Sequence, residues 1–328
     1  MKLKRALKWF AGVTGVGIAV VAVVAAIGFP VTSHPVVDAD LGKASSTAEL
    51  DAVIDKPGVM SVETVVATDW EVPLAGLVNL DHPEAKKAGL HDGPEPIQIF
   101  FHAVRHPSHG LYIVDTGVER AFADDPEHAL LSGIVGKAMN VDRLKVENHL
   151  AGWLEHQKEP LRGVFMTHLH LDHLTGMRDV PNDTPVFAGP GETSTRHWQN
   201  LVVKPVTDEA LAGKGPIRLW SFQGDPTGRF AGVLDVFGDG MFWALLVPGH
   251  TAGSTAYVAR TPDGPVLLTG DTCHTAWGWN HGVEPGTFTR DQPRNAESLK
   301  ALRDLVAAHP NVDVRLGHQS LKNARATL

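Results

Sequence analysis

The chain has 328 residues, of which 43% are hydrophobic and 20% charged, and its formal net charge is −8. This length is sufficient for one large α/β domain. The acidic balance disfavours nucleic-acid binding, since phosphate contacts need clustered Lys and Arg. The single cysteine, Cys273, excludes an intramolecular disulfide framework.

The N-terminus contains a long uncharged stretch. Four basic residues among the first eight precede Trp9 to Phe29, a stretch without charge. As a helix with a rise of 1.5 Å per residue it would be about 31 Å long, close to the thickness of a bilayer core. Positive charge before it indicates a cytoplasmic N-terminus and an exported body. We expect residues 1–29 to be an uncleaved anchor in the cytoplasmic membrane. The alternative is a signal segment removed to give a secreted or periplasmic protein, although Ala26-Ile27-Gly28 is a poor cleavage site.

The next segment, residues 30–57, is expected to be a linker with a short helix leading into the body. Pro30, Pro35 and a Ser-Ser-Thr run punctuate it. Residues 58–328 would then form the main domain. Because the first 29 residues carry four positive charges and no acids, the rest of the chain has a formal charge of −12.

A dense polar cluster follows a short apolar run. Gly163 to Thr167 has the composition of a buried strand, and three imidazoles and one carboxylate follow it within six residues, at His168, His170, Asp172 and His173. Unpaired His and Asp are costly to bury, so a compensating charge such as a divalent metal is expected. Leu174 to Gly176 is a predicted helix start. The alternative to a metal site is a polar loop with several solvated histidines.

Three later apolar runs each end at a glycine beside one possible ligand. Met241 to Val247 leads to His250, Pro265 to Thr269 leads to Asp271, and Val312 to Leu316 leads to His318. Each run is short enough to be a strand. Singly these residues are weak signals; their repeated placement at strand ends, in this order after the first cluster, is a strong one.

This series of motifs resembles the metallo-β-lactamase-fold hydrolase superfamily, and the resemblance runs from about Val62 to the C-terminus, with Val114-Asp115-Thr116-Gly117 as an early strand end. It implies a four-layered αβ/βα sandwich with two divalent metal ions. One ion would be held by His168, His170 and His250, the other by Asp172, His173 and His318, and Asp271 would bridge them. Zinc is the first expectation, with Fe, Mn or Co as alternatives.

The resemblance also implies the chemistry. A hydroxide between the two ions would attack a carbonyl or phosphoryl centre, and Asp172 would orient it. Asp115 either fixes a ligand His through its outer ring nitrogen or caps the turn before Gly117.

Within the superfamily, the segment His102 to Pro107 before Gly110 to Gly117 is similar to N-acyl-homoserine lactonase-type proteins. A helix predicted from Arg294 to Ala308, leading to the strand before His318, has the same order. These relatives have Tyr three residues after the bridging Asp, where this chain has His274. We expect His274 to donate a hydrogen bond or a proton to the substrate; the alternative is a solvated loop residue.

Two further features lie near Asp271. The aromatic residues Trp277, Trp279 and Phe288 either form an apolar pocket wall or pack the last helix onto the sandwich. Cys273 is expected to be a small buried side chain, since Asp271 already occupies the ligand position.

The leading hypothesis is therefore a dinuclear hydrolase of a small ester or lactone. A glyoxalase II-like thioesterase and a β-lactamase are alternatives of the same class. A diiron oxidoreductase-like protein or a metal-dependent binding protein is the alternative of another class. The redox alternative would need an added flavodoxin-like domain, for which the chain leaves no room. The binding alternative would need broken ligands, whereas all seven ligand residues are intact.

Overall fold

A computed structural model describes residues 28–321, in which the strands form two mixed β-sheets. The strands are β1 (Val36–Asp38), β2 (Lys43–Ser45), β3 (Ser61–Pro73), β4 (Pro94–His106), β5 (Gly110–Val114), β6 (Lys145–Val146), β7 (Leu161–Phe165), β8 (Val186–Ala188), β9 (Ile217–Leu219), β10 (Gly232–Asp235), β11 (Phe242–Leu246), β12 (Thr255–Thr261), β13 (Gly264–Leu268) and β14 (Asp313–Arg315). The larger sheet has the order β1-β9-β8-β7-β5-β4-β3-β6, and the smaller has the order β14-β13-β12-β11-β10-β2.

The helices of the same region lie between these strands. They are α1 (Thr47–Asp51), α2 (Leu74–Leu77), α3 (Pro83–Lys87), α4 (Ala121–Asp124), α5 (Gly133–Ala138), α6 (Leu150–Glu155), α7 (Leu171–Leu174), α8 (Asn200–Ala210), α9 (Ala276–His281) and α10 (Gln292–Ala308). Short 3₁₀ turns cover Pro126–His128, Val141–Arg143, Met177–Asp179 and Gly270–Thr272.

Three apolar cores separate four layers. Helices α6 to α8 pack on the outer face of the large sheet, the two sheets pack on each other, and α10 packs on the outer face of the small sheet. Strand β12 illustrates how one strand serves two cores. Tyr257 and Ala259 face the large sheet, whereas Ala256 and Val258 face α10. Since side chains alternate along a strand, the middle of a strand buried on both faces is a continuous apolar run, here Ala256 to Ala259.

Residues 30–57 are part of this sandwich, and the prediction of a linker is wrong. Strand β1 pairs in parallel with β9 at the edge of the large sheet, and β2 pairs with β10 at the edge of the small sheet. Each of these two strands has only three residues and lies at a sheet edge, so neither is long enough to show an alternation that the sequence could reveal. The short helix expected there is α1. Its N-cap is Ser46, whose side chain accepts a hydrogen bond from the Glu49 amide.

The strands before the predicted ligands are present with ends shifted by one or two residues, as β7, β11, β13 and β14. The predicted helix start at Leu174 to Gly176 is wrong, because α7 begins at Leu171 and ends at Leu174. Two residues of the cluster, Asp172 and His173, therefore lie on the helix. The predicted final helix begins two residues early, at Gln292.

The proposed anchor lies almost entirely outside the described residues. Only Gly28 and Phe29 of the stretch from Trp9 belong to the described part. Among residues 28–321, no helix has the length and apolar character needed to cross a bilayer.

Candidate metal centre

The predicted ligands converge at one edge of both sheets. His168 and His170 follow β7 of the large sheet, and Asp172 and His173 lie on α7 directly after them. The remaining three come from loops of the small sheet. His250 follows β11, Asp271 lies in the turn after β13, and His318 follows β14. A backbone hydrogen bond of 2.9 Å from the Thr255 amide to the Thr167 carbonyl joins the sheets here.

Asp271 lies at the centre of the cluster. Its Oδ2 atom is surrounded by the Nε2 atoms of five histidines, at 3.6 Å from His168, 3.3 Å from His173, 3.4 Å from His250, 3.0 Å from His274 and 3.3 Å from His318. All these side chains are buried. Two groups of residues, which share Asp271, have ligand atoms close enough to one another to hold a metal ion. The groups are His168, His170, His250 and Asp271, and Asp172, His173, Asp271 and His318.

The outer ring nitrogens of these histidines are occupied by protein groups. His173 Nδ1 donates to Asp115 Oδ2 at 2.7 Å, His318 Nδ1 donates to the Gln98 carbonyl at 3.0 Å, and His274 Nδ1 donates to the Leu77 carbonyl at 3.2 Å. Each acceptor has no proton to give, so in the neutral ring Nε2 carries a lone pair directed at Asp271.

His168 is fixed in the same way through Thr167. The Thr167 hydroxyl donates to Asp115 Oδ2 at 2.8 Å, and its oxygen therefore accepts from His168 Nδ1 at 3.1 Å. His170 differs, because its Nδ1 atom lies 2.9 Å from His250 Nε2 and faces the centre.

A divalent cation fits this donor set. Among the described residues, buried atoms without a hydrogen-bond partner include Nε2 of His168, His173 and His318 and Oδ1 of Asp271. Unpartnered buried polar atoms are costly, and lone pairs from imidazole and carboxylate facing one another need positive charge between them. Imidazole and carboxylate ligands in this number are typical of divalent metal sites.

Electrostatics divides the ligands into two groups. Burial, followed by the neighbouring imidazoles, holds the pKa of His168 and His250 well below the usual value, and burial lowers the pKa of His170. These rings are neutral, which is the form that binds metal. Burial also opposes charging of His173, but Asp271, Asp115 and Asp172 together raise its pKa well above normal.

The other members of the second group follow the same carboxylates. His318 is buried as well, yet Asp271 and Asp172 raise its pKa to about 10. Burial alone would raise the pKa of both aspartates. His173 and His318 instead hold the pKa of Asp172 below its usual value, and His318 and His173 do the same for Asp271. The group therefore holds two ionised carboxylates whose charge a cation can share.

Asp115 is a positioning residue for this centre. Its backbone has φ +57° at the end of β5. Its Oδ1 atom accepts from the Thr167 amide at 2.8 Å, and Oδ2 accepts from Thr167 and His173. Of the two alternatives for Asp115, the geometry favours fixing a ligand His over capping the turn.

Glu192 is a positioning residue that the sequence does not indicate. Its side chain is buried; Oε2 accepts from the Leu169 amide at 2.9 Å, and Oε1 accepts from the Gly253 amide at 2.7 Å and the Thr251 hydroxyl. One carboxylate thus ties the loop of His168 and His170 to the loop of His250. A lone Glu in a Gly-Pro-Gly-Glu turn gives no sequence signal for this role.

Asn295, on α10, connects the loop of His250 to the turn that contains Asp271. It is fully buried, accepts from the His250 amide at 2.9 Å and donates to the Thr272 carbonyl at 3.0 Å. Two glycines allow these close approaches. A Cβ at Gly249, where φ is +144°, would lie 2.3 Å from the Asn295 nitrogen, and one at Gly317 would lie 2.3 Å from Asp271 Oδ1.

His274 faces the centre and is only 1% exposed, so the solvated-loop alternative is wrong. Cys273 is buried and donates to the Thr275 carbonyl, as expected for a structural cysteine. Burial raises its pKa to about 12, which keeps the thiol neutral.

A cavity of about 520 Å³ opens onto the centre, and His170, Asp172, Asp271, His274 and His318 lie on its lining. Its apolar wall is formed mainly by Trp70, Val72, Leu77, Ile97, Met139 and Phe288. Of the predicted aromatic wall, only Phe288 is in place. Trp277 does not line the cavity; it stacks on His281 at 4.3 Å and packs in the same apolar cluster as Trp70, Val72, Leu77 and Ile97 of the wall. Trp279 packs on the core beneath α10.

Comparison with known proteins gives a consistent result. A family model of the metallo-beta-lactamase superfamily matches residues 95–318, more than half of the chain. The chain is 28% identical over 225 residues to the N-acyl homoserine lactonase AttM of Azorhizobium caulinodans, covering 65% of this chain and 80% of that protein. It is 30% identical over 173 residues to the gamma-lactamase MBL2 of Gibberella moniliformis, covering 49% of this chain and 70% of that protein.

Among solved structures, a quorum-quenching N-acyl homoserine lactone hydrolase superposes with a TM-score of 0.57. The match covers 82% of this chain and 96% of that chain at 16% identity. Likeness at this identity concerns the fold, which is the expected arrangement of two packed sheets with helices outside.

The role of Glu192 can be tested with Glu192→Gln. The amide has one acceptor oxygen in place of two, so its NH₂ group must face the Leu169 amide or the Gly253 amide and Thr251 hydroxyl. We expect metal affinity to fall about 10–100-fold, the usual effect of mutating a residue that holds metal ligands in place by hydrogen bonds. Competition with a chromogenic chelator measures it.

The matched control is Glu119→Gln. Glu119 is also buried, and its carboxylate accepts from the Leu130 amide and from Arg178, so that its side chain bonds to no metal ligand. We expect normal metal affinity for this variant. An equal loss in both variants, or none in Glu192→Gln, would contradict the positioning role.

Proposed function

This chain belongs to the metallo-β-lactamase superfamily, and we propose that it is a metal-dependent hydrolase that opens the ring of a small lactone. The relatives named N-acyl homoserine lactonase support this substrate class. The observation that carries the proposal is the convergence of five imidazole Nε2 atoms on Asp271 Oδ2 at the floor of a cavity with an apolar wall.

We assign the ligands to two ions from their grouping. His168, His170 and His250 would hold one ion, Asp172, His173 and His318 the other, and Asp271 would bridge them. When bound, two divalent ions polarise a substrate carbonyl and make a water molecule nucleophilic near neutral pH. We propose zinc as the metal, since imidazole nitrogen and carboxylate oxygen suit it, with Fe, Mn or Co as alternatives.

Asp172 is proposed to orient the attacking water. It lies in the first turn of α7, and its Oδ2 atom is 3.2 Å from His318 Nε2. Its side chain is 21% exposed, compared with 3% for Asp271. One carboxylate oxygen can therefore accept a hydrogen bond from water in the cavity, which directs the water's lone pair at the substrate.

His274 is proposed to move the proton that ring opening requires. Its Nδ1 proton is committed to the Leu77 carbonyl, so only Nε2, on the cavity side, can exchange a proton with substrate or water. The alkoxide released from a lactone is a poor leaving group and needs a proton or a positive charge. A protonated His274 supplies the proton and returns to the neutral tautomer that the Leu77 contact favours.

The apolar wall of the cavity favours a lactone over a phosphodiester as the substrate. It lies beside the metal ligands and carries no charged side chain among its main members. A lactone with an apolar substituent fits such a wall, whereas a phosphodiester does not. A thioester or a β-lactam remains the alternative that substrate comparison decides.

We also propose that the protein is exported, with the metal centre outside the cytoplasm. The uncharged stretch from Trp9 to Phe29 would hold it in the cytoplasmic membrane, although the last two residues of that stretch, Gly28 and Phe29, lie against the body beside His197. The support is the uncharged stretch, long enough for one bilayer crossing, and the four basic residues before it.

The two-ion assignment predicts a metal content of two per chain in fully loaded protein. Asp271→Ala removes the shared carboxylate and is expected to lose at least one ion and most activity. Cys273→Ala changes a buried residue of the same loop and is expected to retain both ions. Elemental analysis on the same samples measures this. A firm maximum of one ion in the unaltered protein, or metal loss in Cys273→Ala alone, would show that the ligands are misassigned.

The proposed proton transfer predicts a substrate-dependent effect of His274→Asn. Asn keeps a donor for the Leu77 carbonyl but cannot transfer a proton. We expect kcat for lactones to fall about 10²–10⁴-fold, the usual contribution of general acid–base catalysis. The loss should be much smaller for activated aryl esters, whose leaving group needs no proton. Equal losses on both substrates, or no loss, would argue against the role.

The anchor proposal predicts that the full-length protein stays in the membrane pellet after an alkaline carbonate wash. Protease added outside the cytoplasm should digest the body in intact spheroplasts. A mature N-terminus near Phe29 would refute the anchor and leave export standing. Full-length protein found only in the cytosol would refute both.

A further inference from the structure

Four exposed apolar side chains lie on the cavity lining or next to lining residues in the sequence. Among the described residues, Trp198, Leu201 and Val202 are 58%, 59% and 58% exposed, and Phe288 is 43% exposed. Val202 and Phe288 also lie on the cavity lining. We call these four residues the mouth patch. Clustered exposed apolar residues beside a binding cavity are typical of a contact surface rather than of ordinary surface.

The chain enters the body directly beside the mouth patch. Phe29 and His197 exchange two backbone hydrogen bonds of 3.0 Å. The Asn200 side chain donates to the Phe29 carbonyl at 2.8 Å, and Arg196 donates to the Gly28 carbonyl at 3.1 Å. Trp198 is the next residue after His197. Residues 28 and 29 are therefore held on the body, and no spacer separates the mouth patch from the chain that precedes Gly28.

That preceding chain is the uncharged stretch. Residues 9–27 lie outside the described part, and as a helix they would span about 28 Å, the thickness of a bilayer core. If they cross the bilayer, Gly28 lies at its surface. Because Gly28 is held beside His197, the mouth patch must then lie at the same surface.

We propose that the mouth patch inserts into the lipid surface that holds the anchor, so that the cavity opens towards the bilayer. This inference rests on the proposed anchor, and its consequence for substrate rests on the proposed hydrolase. A substrate with an apolar tail, concentrated in the membrane, reaches the metal centre from the lipid side. The apolar wall of the cavity, which includes Trp70 and Phe288, would line the way from the lipid surface to the metal ligands.

The test places a fluorescent probe on either side of the body. Leu201→Cys and Val59→Cys introduce labelling sites at exposed aliphatic residues, 59% and 52% exposed, while the natural Cys273 is buried. Leu201 belongs to the mouth patch. Val59 lies between residues that pair with the far end of β12, about 20 Å along that strand from the metal centre. The full-length proteins are labelled with a nitrobenzoxadiazole probe and reconstituted into vesicles of phosphatidylcholine and phosphatidylglycerol.

Phospholipid carrying a nitroxide on its acyl chain quenches probes that contact the bilayer. We expect strong quenching at position 201 and little at position 59. Equal quenching, no quenching at either site, or quenching at 59 alone would overturn the proposal. Blue-shifted emission at 201 without lipid quenching would also overturn it, because residues 9–27 or a second copy of the chain would then cover the mouth patch.

Two further readouts separate this proposal from those on which it rests. Vesicle flotation reports the anchor, and protein that does not float would refute both the anchor and the lipid contact. Lactone hydrolysis on the same vesicles reports the enzyme. Quenching at 201 without hydrolysis would leave the lipid contact standing and refute the hydrolase.

The substrate consequence has its own matched pair. Leu201→Glu is expected to lower turnover of a vesicle-borne long-chain lactone several-fold more than turnover of a short, water-soluble lactone. Val59→Glu should affect both equally. Equal ratios in the two variants would refute delivery from the lipid side.

Discussion

The buried carboxylate of Asp271 imposes the main physical constraint on this molecule. Five imidazole nitrogens lie within 3.6 Å of one of its oxygens, and protein groups occupy the outer nitrogens of most of these rings. Burying so many polar atoms is unfavourable unless cations occupy the space between them. The donor set is thus arranged for positive charge, which bound divalent ions would supply.

The sandwich meets this constraint by joining loops from both sheets. Asp115 fixes His173 from the large sheet, and Glu192 ties two ligand loops to each other. Asn295 connects two loops of the small sheet from α10. Each contact uses a buried side chain from an element remote in sequence. The ligands are therefore held before metal arrives, which lowers the entropic cost of binding.

The sequence was informative where residues of one function are close together. His168 to His173 and the strand-end residues His250, Asp271 and His318 predict the centre because glycine turns and ligand types occur in short segments. It was uninformative where a role depends on tertiary contact. Nothing near Glu192 or Asn295 indicates that they join ligand loops. Strands β1 and β2 are too short and exposed to show alternation, so the sequence predicts a linker there. Trp277 and Trp279 follow Asp271 in sequence but face apolar cores.

X-ray absorption spectroscopy at the metal edge of the loaded protein tests the central claim most directly, namely that Asp271 joins two ions. The account predicts a metal–metal scattering path at about 3.5–4 Å, as in other two-metal sites, with imidazole and carboxylate ligands, and loss of that path in Asp271→Ala. A first shell of ligands without any metal–metal path in protein carrying two ions, or a path that survives in Asp271→Ala, would contradict it.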